Sequence, residues 1–141
     1  MSRCFVIALI LLFVAQCPCY CNVWRNPERS GTFTVNEPIM TTGVTADGQP
    51  VDDLTVFSPT TSRIYCFVSI EGPESVRLGS RWYQEGELLY DSGLSEVGAD
   101  RLIWWSMRTT AEEFEEGNYR VEIYAISAPI KVKYFTIRES K

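Results

Sequence analysis

Gly117-Asn118-Tyr119-Arg120-Val121-Glu122-Ile123-Tyr124 is the stretch that decides the fold. Tyr119, Val121 and Ile123 alternate with Arg120, Glu122 and Tyr124. That period of two belongs to a strand with one face on a core. Gly117 in front of it frees the backbone to turn.

The segments on either side repeat the pattern. Residues 63–71 place Ile64, Cys66, Val68 and Ile70 on one face and Tyr65, Phe67 and Ser69 on the other, and Gly72-Pro73 ends the run. Residues 76–84 put Val76, Leu78, Ser80 and Trp82 opposite Arg77, Arg81 and Tyr83. Glu85-Gly86 turns that strand into 87–90, a hairpin. Residues 101–109 set Ile103, Trp105 and Met107 against Leu102, Trp104 and Ser106, and 130–138 close the sheet after a turn at 127–129. Weaker strands are expected at 32–35 and 40–45. Residues 52–62 and 91–100 read as loops, and 110–116 as an acidic crossing of about one helical turn anchored by Phe114. The sum is an all-β chain of about seven short strands in one antiparallel sandwich.

The first 21 residues read differently. Arg3 precedes an apolar run at 5–15, too short to span a bilayer and matching the core of a signal peptide. Cys19 and Cys21 suit cleavage before Asn22. Alternatively, Val14-Ala15-Gln16-Cys17 resembles a bacterial lipobox, which implies lipidation of Cys17. Either route makes the protein secreted or attached to the cell surface, with membrane contact only through such an anchor. The expected organisation is a leader at 1–21, a polar arm at 22–31 and one domain at 32–141.

Composition removes several chemistries. The chain has no histidine, so no His ligand, His general base or His-activated nucleophile is available. Its net charge of −5 argues against nucleic acid as a partner. Cys66 is the one cysteine after the leader, and it reads as a small buried hydrophobe. Asp52-Asp53 and the carboxylates of 112–116 read as solvated loops. No phosphate or dinucleotide loop occurs. No cofactor, metal or catalytic residue is expected.

Cys66, Trp82 and Gly117-Asn118-Tyr119-Arg120-Val121 together resemble the B, C and F strands of an immunoglobulin domain. Val121 stands where such a domain carries its second intersheet cysteine. Phe57-Ser58-Pro59, Ile64-Tyr65, Trp82, Gly117-x-Tyr119-Arg120-Val121 and Phe135-Thr136-Ile137 also resemble prokaryotic secreted proteins and lipoproteins with Ig-like domains. That resemblance implies an Ig-like fold and an extracellular setting.

Aromatics make up 13% of the chain. With Trp82, Trp105, Tyr119 and Phe135 in the core, alternation turns Tyr83, Tyr124 and Tyr134 outward on one sheet, beside Arg81 and Arg120. Tyr and Arg are what protein-binding surfaces favour. The expectation is a non-enzymatic recognition domain that docks a protein partner or a second copy through that face. The alternative is a carbohydrate-binding module that uses Trp104 with Tyr65 and Phe67.

Overall fold

The computed structural model describes residues 33–72, 74–98, 101–126 and 128–139. The leader, the 22–31 arm and Cys17 lie outside the described residues. The described chain is all-β. In order it forms β1 (Thr34–Val35), β2 (Ile39–Thr41), β3 (Val56–Phe57), β4 (Ile64–Glu71), β5 (Val76–Gln84), β6 (Glu87–Asp91), β7 (Ser95–Val97), β8 (Arg101–Met107), β9 (Gly117–Ala125) and β10 (Ala128–Ile137).

Two sheets face each other. The smaller is built on β4. β8 pairs along one edge of β4, from Ile64 opposite Met107 to Ile70 opposite Arg101. β1 and β2 share its other edge. The larger sheet runs β3-β10-β9-β5-β6, with β7 continuing the line of β6 along β5. β1 and β2 thus lie in the smaller sheet and β3 in the larger, and the later strands follow the Ig-like order. Among the described residues every strand pairing is antiparallel except one: β3 runs parallel to β10, with Thr136 opposite Val56 and Ile137 opposite Phe57.

Three local expectations are corrected. β3 and β7 form inside stretches read as loops. The crossing at 110–116 contains no helical turn. Phe114 nevertheless anchors it, being buried, with its N–H donating to Pro59 O at 2.9 Å. Asp52 is also not merely solvated. Thr42 donates to it from its backbone N–H at 2.9 Å and its hydroxyl at 2.5 Å, latching the chain after β2. Burial pushes the carboxyl up, but hydrogen bonding to the Thr41 side chain, then to the Thr42 side chain and N–H, holds it below its ordinary range.

The core forms where the inward faces meet. Trp82 is fully buried and meets Phe135 edge-on at 6.1 Å, its Nε1 donating to Ser80 Oγ at 3.1 Å. Truncating an aromatic so placed costs about 3–5 kcal/mol. Tyr119 stacks on Phe135 at 5.3 Å and donates its hydroxyl to Glu115 O at 2.7 Å. That backward bond is a tyrosine corner at the start of β9. Gly117, at φ 151°, makes the preceding turn, and the adjoining Asn118 N–H donates to Glu85 Oε1 at 2.7 Å. Cys66 and Val121 are both fully buried in this core. Burial pushes the Cys66 thiol up to about 12, against a smaller opposing pull from Lys133.

The sheet edges differ in character. β3 covers only the last two residues of β10. The remaining edge of β10 carries Pro129, a register shift before Lys131, and then Lys131 and Lys133 on the same face as Phe135. Proline, a bulge and inward lysines each discourage another strand from adding there. Lys131 ties this edge to Glu37 at 3.1 Å.

Candidate functional site

The outer face of the larger sheet is arranged in cross-strand rows. One row is Tyr134, Arg120, Tyr83 and Leu88, taken from β10, β9, β5 and β6. The next is Val132, Glu122, Arg81 and Asp91. In a third, Tyr124 lies opposite Gly79. The five residues expected at an interface (Tyr83, Tyr124, Tyr134, Arg81 and Arg120) do share one face.

They do not share one exposure. The Arg120 guanidinium lies 4.0 Å from the centre of the Tyr83 ring, and its Nε donates to Glu122 Oε1 at 3.1 Å. Arg81 lies 4.0 Å over Tyr124 and donates to Asp91 Oδ2 at 3.0 Å. The Tyr124 hydroxyl donates to Asp91 Oδ1 at 2.5 Å, and Gly93 N–H donates to the same oxygen at 2.9 Å. Tyr124 is therefore 3% exposed, not open to a partner. Its ring is roofed by Arg81 and lies against Gly79, where a Cβ would come within 2.7 Å of Tyr124 Cζ and 2.5 Å of Gly93 O. Tyr83 is half-buried, whereas Tyr134 is 69% exposed.

Electrostatics follow this geometry. The Tyr124 hydroxyl, then Gly93 N–H and Arg81, hold the Asp91 carboxyl down at about 2. Burial and Asp91 raise the Tyr124 phenol. Burial, with a hydrogen bond to Glu122, raises that of Tyr83. The rings stay neutral and the arginines charged near neutral pH, so the face is a preassembled lattice of stacked cations and rings.

The alternative face on the smaller sheet is also altered. Phe67 is fully buried, because Trp104 stacks on it at 5.3 Å from one neighbouring strand and Ile39 pairs with it from the other. Tyr65 is half-buried, with Arg63 5.9 Å from its ring centre. Only Trp104, 46% exposed, offers an open ring, so the expected row of three is reduced to one.

A further feature has no single motif behind it. The larger sheet overhangs the smaller on the side of β6, because among the described residues no strand follows β8 in its sheet. The overhang leaves an open groove of about 770 Å³. Leu89 and Tyr90 line it from β6, Met107 from β8, and Phe114 and Tyr119 from the crossing and β9. Glu87, Glu113, Glu115, Arg63 and Arg108 also line it. Leu88, Leu89 and Tyr90 are 54%, 47% and 48% exposed, which makes β6 the most openly apolar strand described. The sequence carried a faint signal of this: Leu88-Leu89-Tyr90 does not alternate, so an apolar side chain must face away from the core.

No family model matches the chain, and no curated protein matches it. Solved structures with a similar course of chain include alkylpurine DNA glycosylase AlkC of Pseudomonas fluorescens, bound to DNA containing an abasic site analogue. It is 13% identical over 77% of this chain, with a TM-score of 0.48, and the chain spans only 31% of that enzyme's length. The CARDB domain of a Pyrococcus furiosus protein, in complex with di-metal ions, is 14% identical at a TM-score of 0.46, covering 76% of this chain and 93% of that one. Superoxide reductase (neelaredoxin) of Ignicoccus hospitalis is 11% identical at 0.38, covering 74% and 82%.

Proposed function

We propose that this Ig-like sandwich is a non-enzymatic extracellular recognition domain that docks a protein partner, or a second copy, through the outer face of its larger sheet. The observation that carries the reading is the row Tyr134–Arg120–Tyr83–Leu88. Its two ends are open, at 69% and 54%, and its middle is an arginine already stacked on a tyrosine. Tyr and Arg dominate binding energy at protein interfaces. A side chain ordered before binding loses less entropy on docking. Tyr134 and Leu88 would be the anchors, and Arg120 a fixed donor between them. Tyr124 and Arg81 support the face from beneath and at its side.

The test is sedimentation of the purified protein over a concentration series, followed by screening on an extracellular protein array. Association, with itself or with an arrayed protein, should weaken at least tenfold in the variant carrying Tyr134→Ser and Leu88→Ser. Unchanged association in that variant would refute the face.

The carbohydrate reading retains one specific support, the open ring of Trp104 lying on Phe67. It predicts quenching or enhancement of Trp104 fluorescence by a glycan, absent in Trp104→Ala.

A further inference from the structure

We infer that β6 takes up an extended segment of the partner protein as an added strand, and that this segment is apolar in its middle and cationic at the end that meets Glu87. The inference rests on the protein-docking reading but uses the backbone edge of β6, which adjoins that face at Leu88.

Four observations point to it. Among the described residues, nothing pairs with the outer edge of β6, whose backbone partner is β5 alone. All five of its residues are exposed. An unpaired edge offers a row of N–H and C=O groups to any extended chain. The β10 edge is guarded by Pro129 and two inward lysines, whereas β6 has neither proline nor lysine. Finally, the groove beside β6 gives an added strand's side chains somewhere to go, against Leu89, Tyr90 and Met107.

Charge selects the occupant. β6 reads Glu-Leu-Leu-Tyr-Asp, an apolar centre between two carboxylates. A second copy pairing antiparallel about Leu89 would set Glu87 opposite the other copy's Asp91, a carboxylate already bonded to its own Arg81 and Tyr124, so Glu87 would gain no counter-charge from self-pairing. Glu87 and Glu113 are in no ion pair among the described residues, and the Glu115 carboxylate there accepts one bond, from Gln84 at 3.2 Å. Arg63 and Arg108 line the same groove, and Asp91 is already bonded to Arg81, Tyr124 and Gly93, so the open negative charge lies at the Glu87 end, where a Lys or Arg of an incoming strand would meet it.

The experiment uses three fluorescently labelled peptides against the purified protein. The first is Lys-Val-Thr-Val-Thr-Val-Lys, the second has Glu at both ends, and the third has Pro at its centre. The Lys-flanked peptide should bind, the Glu-flanked one at least tenfold more weakly, and the Pro peptide not at all. Hydrogen exchange of the amides of 87–91 should slow on binding. Leu89→Lys should abolish binding while leaving the unfolding midpoint in place, and Tyr134→Ser should leave it unchanged. The inference is overturned if none of the peptides binds, if the Pro peptide binds equally, or if protection appears on another strand. Peptide binding lost in Tyr134→Ser but kept in Leu89→Lys would overturn strand addition and leave the face reading standing.

Discussion

Replacing Gly79 by alanine adds a single methyl group, and the structure says it has no room. The new Cβ would lie 2.5 Å from Gly93 O, 2.7 Å from Tyr124 Cζ and 2.8 Å from Tyr124 Oη. None of these atoms can yield freely. Gly93 O is backbone, and its residue is tied by its own N–H to Asp91. The Tyr124 ring is clamped between Arg81 above and Asp91 at its hydroxyl. Forcing a methyl into a filled site costs about 1–3 kcal/mol. Displacing the ring also weakens a hydrogen bond to a charged group, of a kind that contributes about 1.5–3 kcal/mol. We expect a net loss of about 3 kcal/mol, or a fall of about 15 °C in Tm for a domain near 100 residues. Urea unfolding followed by tryptophan fluorescence measures it, since Trp82 is fully buried in the native state. The cause is isolated by Tyr124→Leu, which removes the hydroxyl end of the ring. The double variant should cost at least about 1 kcal/mol less than the two single losses combined. A loss below about 0.5 kcal/mol for Gly79→Ala alone, within the range of ordinary surface changes, would refute the packing argument.

Other consequences can be measured on the same protein. Val121→Cys should form a disulfide with Cys66 under oxidation, closing a loop of about 55 residues and adding up to about 4 kcal/mol by chain entropy; mass spectrometry showing two free thiols would count against the core assignment. The Asp91 carboxyl is held down at about 2 in the folded chain, below the ordinary aspartate value of about 3.9, so the folded state binds this proton less readily. Its contribution is complete above about pH 5 and fades as pH falls through about 4 toward 2, by about 1 kcal/mol at most because solvent screens the pair. Asp91→Asn should flatten that part of the stability–pH curve. With its thiol pushed up to about 12 by burial, Cys66 should resist iodoacetamide at pH 8 and react only as urea unfolds the domain; alkylation at the rate of a free thiol would contradict its placement.

What the sequence disclosed was set by period. β4, β5 and β9 alternate over eight or nine residues, long enough for the pattern to fix both strand and inward face. Trp82, Tyr119 and Phe135 therefore fall in the core as expected. β3 has two residues and exists because the end of β10 runs beside it, which no local pattern records. β7 is Ser-Glu-Val, held in line by β5 rather than by its own composition. Exposure was less legible than direction. Tyr124 and Phe67 both point away from the core, yet a neighbour from an adjacent strand covers each of them. Period gives the face of a residue; only register gives its cover. The groove was hidden for the same reason, since it arises from a difference in width between two sheets.

The parallel pairing of β3 with β10 has a mechanical meaning. β3 and β10 lie side by side and point the same way, with Thr136 N–H donating to Thr55 O at 2.9 Å and Arg138 N–H to Phe57 O at 3.0 Å. Tension that pulls the early and late parts of the chain apart would load those bonds together, along the strands. Antiparallel neighbours pulled from one end would instead open one bond at a time. A short contact of two residue pairs thus acts as a shear clasp, and the sandwich should resist stretching between its ends more than its small smaller sheet suggests.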